Sequence, residues 1–267
     1  TDDSREVIER YRGCPQVSHI IYNEANSGST FRQWEKGIGL AKGEFIWIAE
    51  SDDYCEPSLL KALIEQVQAH PTCVLVYGLS QMVDLQGRAL GERMRTYGNV
   101  FLKGRRFIQR YMCCENPVYN ASSAIFRRKA AMEIQPLYME YKGAGDRLFW
   151  IEIAEKGDVA IVNRPLNYFR QHPNKVTPQK TLDGTNLMED KRTFDYLSER
   201  GFLKNPFRRF LCKGYYLYLI RSTRLSDEAV RQRVLMQWNN GCAGSAVQRL
   251  LGRLLVSLRY HNLHLYL

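Results

Sequence analysis

The sequence predicts an α/β fold, a sheet with helices on both faces followed by a wholly helical segment, and three observations predict it. Residues 1–80 alternate strand-like and helix-period segments, the pattern of βαβ units and a mostly parallel sheet. Residues 81–178 carry shorter and less regular strands and helices, of α+β character. After Pro178 strand signals almost vanish and apolar residues recur at helical spacing. The boundary is placed near residue 180, giving a catalytic-type domain over 1–180 and a helical extension over 181–267.

Taken in order, Val7, Ile8 and Tyr11 mark one face of a first helix, with Asp3 or Ser4 as its N-cap. Residues 17–22 read as a strand. Phe31, Trp34, Ile38 and Ala41 describe an amphipathic helix, and Gly43 stands where a left-handed C-cap would end it. Residues 44–49 are too short and too apolar for an exposed helix and read as a buried strand that runs into Glu50-Ser51-Asp52-Asp53. Pro57 is expected to open the next helix, with Leu59, Leu60, Leu63, Ile64 and Val67 facing inward, and 73–77 is another buried strand. Further on, 82–90 reads as a hairpin around Gln86-Gly87 and 104–114 as a helix. Then come a strand over 122–126, a helix over 146–156, and strands over 159–162 and 166–170. Helices are expected over 186–200, 206–221, 227–238 and 244–260.

The chain has 267 residues, 45% hydrophobic and 25% charged, enough to bury a full core and unlike a disordered or fibrous composition. Its seven cysteines form no C-x-x-C pair, and the odd count fits a reduced, cytosolic chain better than a disulfide framework. The adjacent Cys113 and Cys114 read as buried helix residues. No apolar run is long enough to span a bilayer. The net charge of +10 implies an acidic partner. Nucleic acid is set aside, because neither zinc-finger spacing nor an RNA-binding aromatic motif is present.

The acidic cluster holds the most chemistry. In an open α/β sheet ligands bind beyond the carboxyl ends of the strands, and Asp52 and Asp53 stand there. Glu50 and Asp52 are two residues apart, so an extended segment points them alike and turns Asp53 elsewhere. One carboxylate can then serve a hard divalent cation, Mg²⁺ or Mn²⁺, and another a ribose or a backbone amide. By itself, Ser-Asp-Asp ahead of a proline also reads as a helix N-cap.

The spaced motifs resemble glycosyltransferase family 2. Thr1-Asp2-Asp3-Ser4 is similar to its T-D-G-T, Asn26-Ser27-Gly28 to its N-x-G, residues 37–46 to its G-I-x-x-A-x-G-E-Y-I, and Glu50-Ser51-Asp52-Asp53 to its D-x-D-D. The resemblance implies an inverting GT-A fold with a mixed sheet, a nucleoside-diphosphate sugar donor, and Mn²⁺ or Mg²⁺ on Asp52 and Asp53. Donor contacts are implied at Asn26, Gly28, Glu50, Asp52 and Asp53. Gly145-Asp146 falls on the family's E-D pair, which makes Asp146 the implied catalytic base; taken alone it reads sooner as a helix N-cap, and the two roles are compatible. Tyr168-Phe169-Arg170-Gln171-His172 is similar to Y-R-x-H, which places Arg170 and His172 near the donor phosphates.

Three departures stand out. Glu50 replaces the first Asp, Glu35 stands where Asn is frequent, and Gly145 replaces the Glu of the E-D pair. The family's first strand and its base-contacting Asp would lie upstream of Thr1, so the chain is expected to lack the first strand and to bind nucleotide abnormally.

The implied activity is sugar transfer to a glycan or lipid-linked acceptor in cell-surface polysaccharide synthesis. A non-catalytic sugar-nucleotide-binding or scaffold relative is the alternative. Basic residues from Lys204 to Arg259, interleaved with Phe207, Phe210, Tyr215, Tyr216 and Tyr218, read either as a surface for anionic lipid on the cytoplasmic membrane face or as a solvated helical face.

Overall fold

The computed structural model describes residues 3–91, 98–172 and 176–260. Thr1 and Asp2 of the first motif, and the Arg259 side chain, lie outside that part. In chain order the elements are α1 (Ser4–Glu9), α2 (Thr30–Leu40), β1 (Phe45–Trp47), β2 (Tyr54–Cys55), α3 (Leu59–Ala69), β3 (Cys73–Val83), β4 (Val100–Lys103) and α4 (Gly104–Phe107). A π-helical turn (Ile108–Met112) follows, then β5 (Ala124–Arg127), α5 (Arg128–Ala131), α6 (Gly145–Glu155) and β6 (Asp158–Arg170). The extension holds α7 (Val176–Leu182), α8 (Thr185–Glu199), α9 (Pro206–Ser222), α10 (Glu228–Asn239) and α11 (Ala246–Tyr260).

The sheet is mixed rather than mostly parallel. Its order is β1-β5-β3-β6-β2, with β4 also on β6. Among the described strands only β3 and β6 run parallel, and β5 enters antiparallel between β1 and β3. The long β6 pairs β4 along its first residues and β2 near its end. The two strands expected over 159–162 and 166–170 are therefore one. Pro165 sits where the ladder shifts register, which suits a residue with no N–H to donate.

Alternate residues of the central strands feed two apolar layers. Ile125, Ala160 and Val162 pack with Leu59, Ala62 and Leu63 of α3 on one face. Phe126, Val159 and Ile161 join α2, α6 and the helical extension on the other. Trp34 of α2 meets Phe149 and Trp150 of α6 edge-on or tilted, with ring centroids 5.5 and 6.0 Å apart. That contact fixes the loop before α2 relative to the start of α6. In the extension Tyr216 stacks on Trp238 at 4.3 Å, within the same apolar cluster.

Several expectations are corrected. Residues 17–22 form no strand: no described segment offers them a ladder, and without one the backbone stays irregular. Helix α1 forms but buries nothing, and Val7, Ile8 and Tyr11 are exposed. Gly43 is not left-handed, because α2 ends earlier, at an extended Ala41. Pro57 lies in the turn ahead of α3, which shifts the inward face, so Leu60 and Ile64 point outward. The hairpin over 82–90 is present as a single Val83–Ala89 bridge closed by Gly87 at φ +79°. None of the described helices is long and apolar enough to cross a membrane.

Candidate active site

Strand β1 delivers the acidic cluster. Its apolar residues anchor the strand to β5, and the chain leaves the sheet after Trp47 and runs on to Glu50. Ser122, just ahead of β5, braces this exit: its carbonyl accepts from the Trp47 indole N–H at 2.9 Å, and its Oγ accepts from the Glu50 backbone N–H at 3.0 Å.

Asp53 turns inward. Its carboxylate accepts from the Arg170 backbone N–H and from Ser122 Oγ, each at 3.1 Å, and from Asn120 Nδ2. Asn120 is aimed by a buried network, its Oδ1 accepting from Ser80 Oγ at 3.1 Å and from Asn167 Nδ2 at 2.9 Å. The centre of the sheet thus reaches the acidic loop through one amide, and low local dielectric strengthens each of these bonds. Burial pushes the Asp53 carboxyl upward against the hydrogen bonds that favour its charge.

Glu50 and Asp52 face a cleft of about 680 Å³. His172 Nε2 lies 3.1 Å from Asp52 Oδ2. Asn26 and Gly28 also line it, and Asn26 Oδ1 accepts from the Gly28 N–H at 2.9 Å. This Asx turn needs the left-handed φ of +66° that Gly28 supplies. Asp146, at the start of α6, closes the floor of the same cleft.

The Asp146 carboxyl is pushed to about 6, chiefly by burial, against hydrogen bonds from the Arg147 backbone and from Asn116, whose Nδ2 donates to it at 2.8 Å. Glu50 is pushed to about 7, first by burial and then by the charges of Asp52, Asp53 and Asp146, while a Trp34 hydrogen bond pulls the other way.

Carboxylate oxygens of Glu50, Asp52 and Asp53 lie within 4.8 Å of one another. An all-oxygen set with this much mutual repulsion fits a hard divalent cation, which would relieve it.

The structure therefore brings Asn26, Gly28, Glu50, Asp52, Asp146 and His172 to one cleft. Asp53 stands behind it. Arg170 is also outside the lining: its guanidinium lies over the Tyr54 ring, 5.4 Å from the centroid, and its backbone holds Asp53. Glu35 is likewise absent from the lining and accepts a 2.6 Å hydrogen bond from the Tyr138 hydroxyl. Gly145 has no room for the family's Glu, since a Cβ there would sit 2.6 Å from the Tyr138 carbonyl and 2.7 Å from the Phe31 ring.

Sequence reading missed Asn116, Asn120, Ser122 and Lys142. The signal was faint: Asn116, Asn120 and Ser122 are spaced among Pro117, Val118, Tyr119 and Ala121, and nothing local marks Lys142.

The sequence profile described as Glycosyl transferase family 2 matches residues 1–135. Poly(ribitol-phosphate) beta-N-acetylglucosaminyltransferase TarS of Staphylococcus aureus (strain Mu50) is 28% identical over 153 residues, 56% of this chain and 24% of TarS. The putative teichuronic acid biosynthesis glycosyltransferase TuaG of Bacillus subtilis is 21% identical over 181 residues, 67% of each chain. The match to TarS thus spans about a quarter of that relative's length. The crystal structure of TarS residues 1–349 in complex with UDP-GlcNAc superposes with a TM-score of 0.59 at 15% identity, covering 100% of this chain and 81% of that one. The fold is therefore the one TarS adopts.

Proposed function

The chain belongs to glycosyl transferase family 2, and from that premise we propose that it transfers a sugar from a UDP-sugar to a cell-wall glycan, inverting the anomeric carbon. One observation carries this reading: Glu50 and Asp52, in the loop after β1, and Asp146, on α6, line one cleft. Relatives named for poly(ribitol-phosphate) and for teichuronic acid biosynthesis, and a related structure holding UDP-GlcNAc, support the donor and the acceptor class.

In this reading the Asn26–Gly28 turn and the acidic rim receive the nucleoside diphosphate. Asp52, with Glu50 beside it and Asp53 within reach behind, holds Mn²⁺ or Mg²⁺, which when bound would offset charge on the departing diphosphate. His172 orients Asp52. Asp146 takes the proton from the acceptor hydroxyl as that oxygen attacks, and a carboxyl near 6 is ionised at neutral pH yet basic enough to accept it. Arg170 acts through its backbone, by fixing Asp53.

Release of UDP from a panel of UDP-sugars, with and without Mn²⁺ or Mg²⁺, tests this. Metal-dependent turnover that Asp52→Ala removes supports it, and turnover indifferent to both chelator and Asp52→Ala refutes the metal role.

The extension is proposed to rest on an anionic membrane surface, where a lipid-linked acceptor would be met. On α11, Val247, Leu250 and Leu254 are exposed along one face, with Arg253 exposed among them. Substituting the three apolar residues by Ser should abolish sedimentation with phosphatidylglycerol vesicles; unchanged sedimentation would remove the membrane from the reading.

A further inference from the structure

The loop that leads into α6 and Asp146 is held from the helical extension. Its backbone N–H groups at Lys142, Gly143 and Ala144 all point to one carboxylate, that of Glu189 on α8, at 2.6, 3.0 and 2.8 Å. Glu189 is 6% exposed. The next residue, Asp190, accepts from Arg147 Nη1 at 2.5 Å, and Arg147 Nη2 donates to the Met112 carbonyl at 2.7 Å. Two adjacent acids of α8 thus hold the chain on both sides of Asp146. The fit is close, because a Cβ on Gly143 would come within 2.1 Å of Asn186 Oδ1 on the same helix.

The loop is also a partition. Lys142, Gly143 and Asp146 line the cleft with the acidic cluster, whereas Gly143, Ala144, Asp146 and Arg147 line a second cavity of about 750 Å³ on the side of the helical extension. A shift of the loop would move the carboxylate relative to both spaces.

We propose that Glu189 is a positioning residue for Asp146: by taking up three consecutive backbone N–H groups it fixes the loop, and through the loop the base. This rests on the reading of Asp146 as the base. Only an ionised carboxylate can accept all of these bonds; the amide of Gln would turn donors toward donors. The helical extension is then part of the catalytic machinery, because the residue that sets the base belongs to it.

The test uses the full chain with Glu189→Gln, Glu189→Asp and Asp146→Asn. Three quantities are read: UDP release from the UDP-sugar the wild type turns over, UDP affinity with Mn²⁺ by calorimetry, and hydrogen exchange of the peptide spanning 141–147. A misplacement of the base by about 1 Å costs on the order of 100-fold. Glu189→Gln should therefore lower kcat by roughly 30- to 100-fold while UDP affinity stays within about twofold and exchange in 141–147 rises. Glu189→Asp, which keeps the charge, should recover part of both. Unchanged exchange in the Gln variant, or full turnover in it while Asp146→Asn is inactive, overturns the proposal. A parallel fall of kcat and UDP affinity also overturns it, since that is what a merely structural residue would give. Full turnover in Asp146→Asn fails the base assignment instead, and the exchange arm still reports on the clamp.

Discussion

Asp146 lines the cleft and Asp53 stands behind it, and the two carboxylates are held in opposite ways. Asp53 is gripped through its own carboxylate, which accepts from a backbone N–H, a hydroxyl and an amide braced by the sheet. Asp146 accepts one side-chain hydrogen bond, from Asn116, and its loop is held through the backbone. A carboxylate whose lone pairs are occupied serves as scaffold, whereas one left under-bonded and partly buried is free to take a proton. Two Asp residues at one site therefore need not share a role.

The largest effect should separate the two carboxylates in activity. Asp146→Asn should cut transfer by about 10²- to 10⁴-fold, the usual contribution of a positioned base, with UDP affinity nearly intact. Steady-state kinetics beside calorimetry checks this, and equal losses in both would place Asp146 in donor binding instead. Asp53→Asn should act on stability as well, because the new NH₂ would face groups that donate. Leaving one such buried group unpaired costs about 1–3 kcal/mol, read as a lowered thermal midpoint; an unchanged midpoint would dissolve the contrast drawn here.

The pH dependence sharpens it. The folded carboxyl of Asp146 is raised to about 6 by burial, so the ionised base is present above that pH and lost below it. Turnover should fall as pH drops through about 6, and Asp146→Glu should shift that limb. A profile flat from pH 7 to pH 4.5 would contradict the assignment. The smallest expected effect is at Gly145, where Gly145→Ala forces a Cβ against the Tyr138 carbonyl and the Phe31 ring. Overpacking of this kind costs about 1–3 kcal/mol, and denaturant unfolding would register it.

The cluster at Glu50, Asp52 and Asp53 was legible in the sequence because it follows a short apolar strand, but the segment is not extended as expected: a turn, in which the Glu50 carbonyl accepts from the Asp53 N–H at 3.2 Å, separates Asp53 from its neighbours. Helices α8 to α11 were legible to within a few residues, since their apolar spacing is regular, whereas α7 was not expected. What stayed hidden depends on pairing between distant segments. The antiparallel entry of β5 between β1 and β3 leaves no local mark, and neither does the joining of two strand-like runs into β6 across Pro165. Residues 17–22 have strand composition but no described ladder partner, which composition cannot reveal. Asn120 and Glu189 were invisible for the same reason: each is an ordinary polar residue until the fold brings it to a carboxylate or a loop far away in the chain.

A crystal soaked with UDP-GlcNAc and Mn²⁺ gives the most direct reading of the cleft. The ion is expected against Asp52, with the diphosphate beside the Asn26–Gly28 turn and the anomeric carbon turned toward Asp146. Nucleotide bound elsewhere, with Asp52 and Asp146 both facing empty solvent, would contradict it.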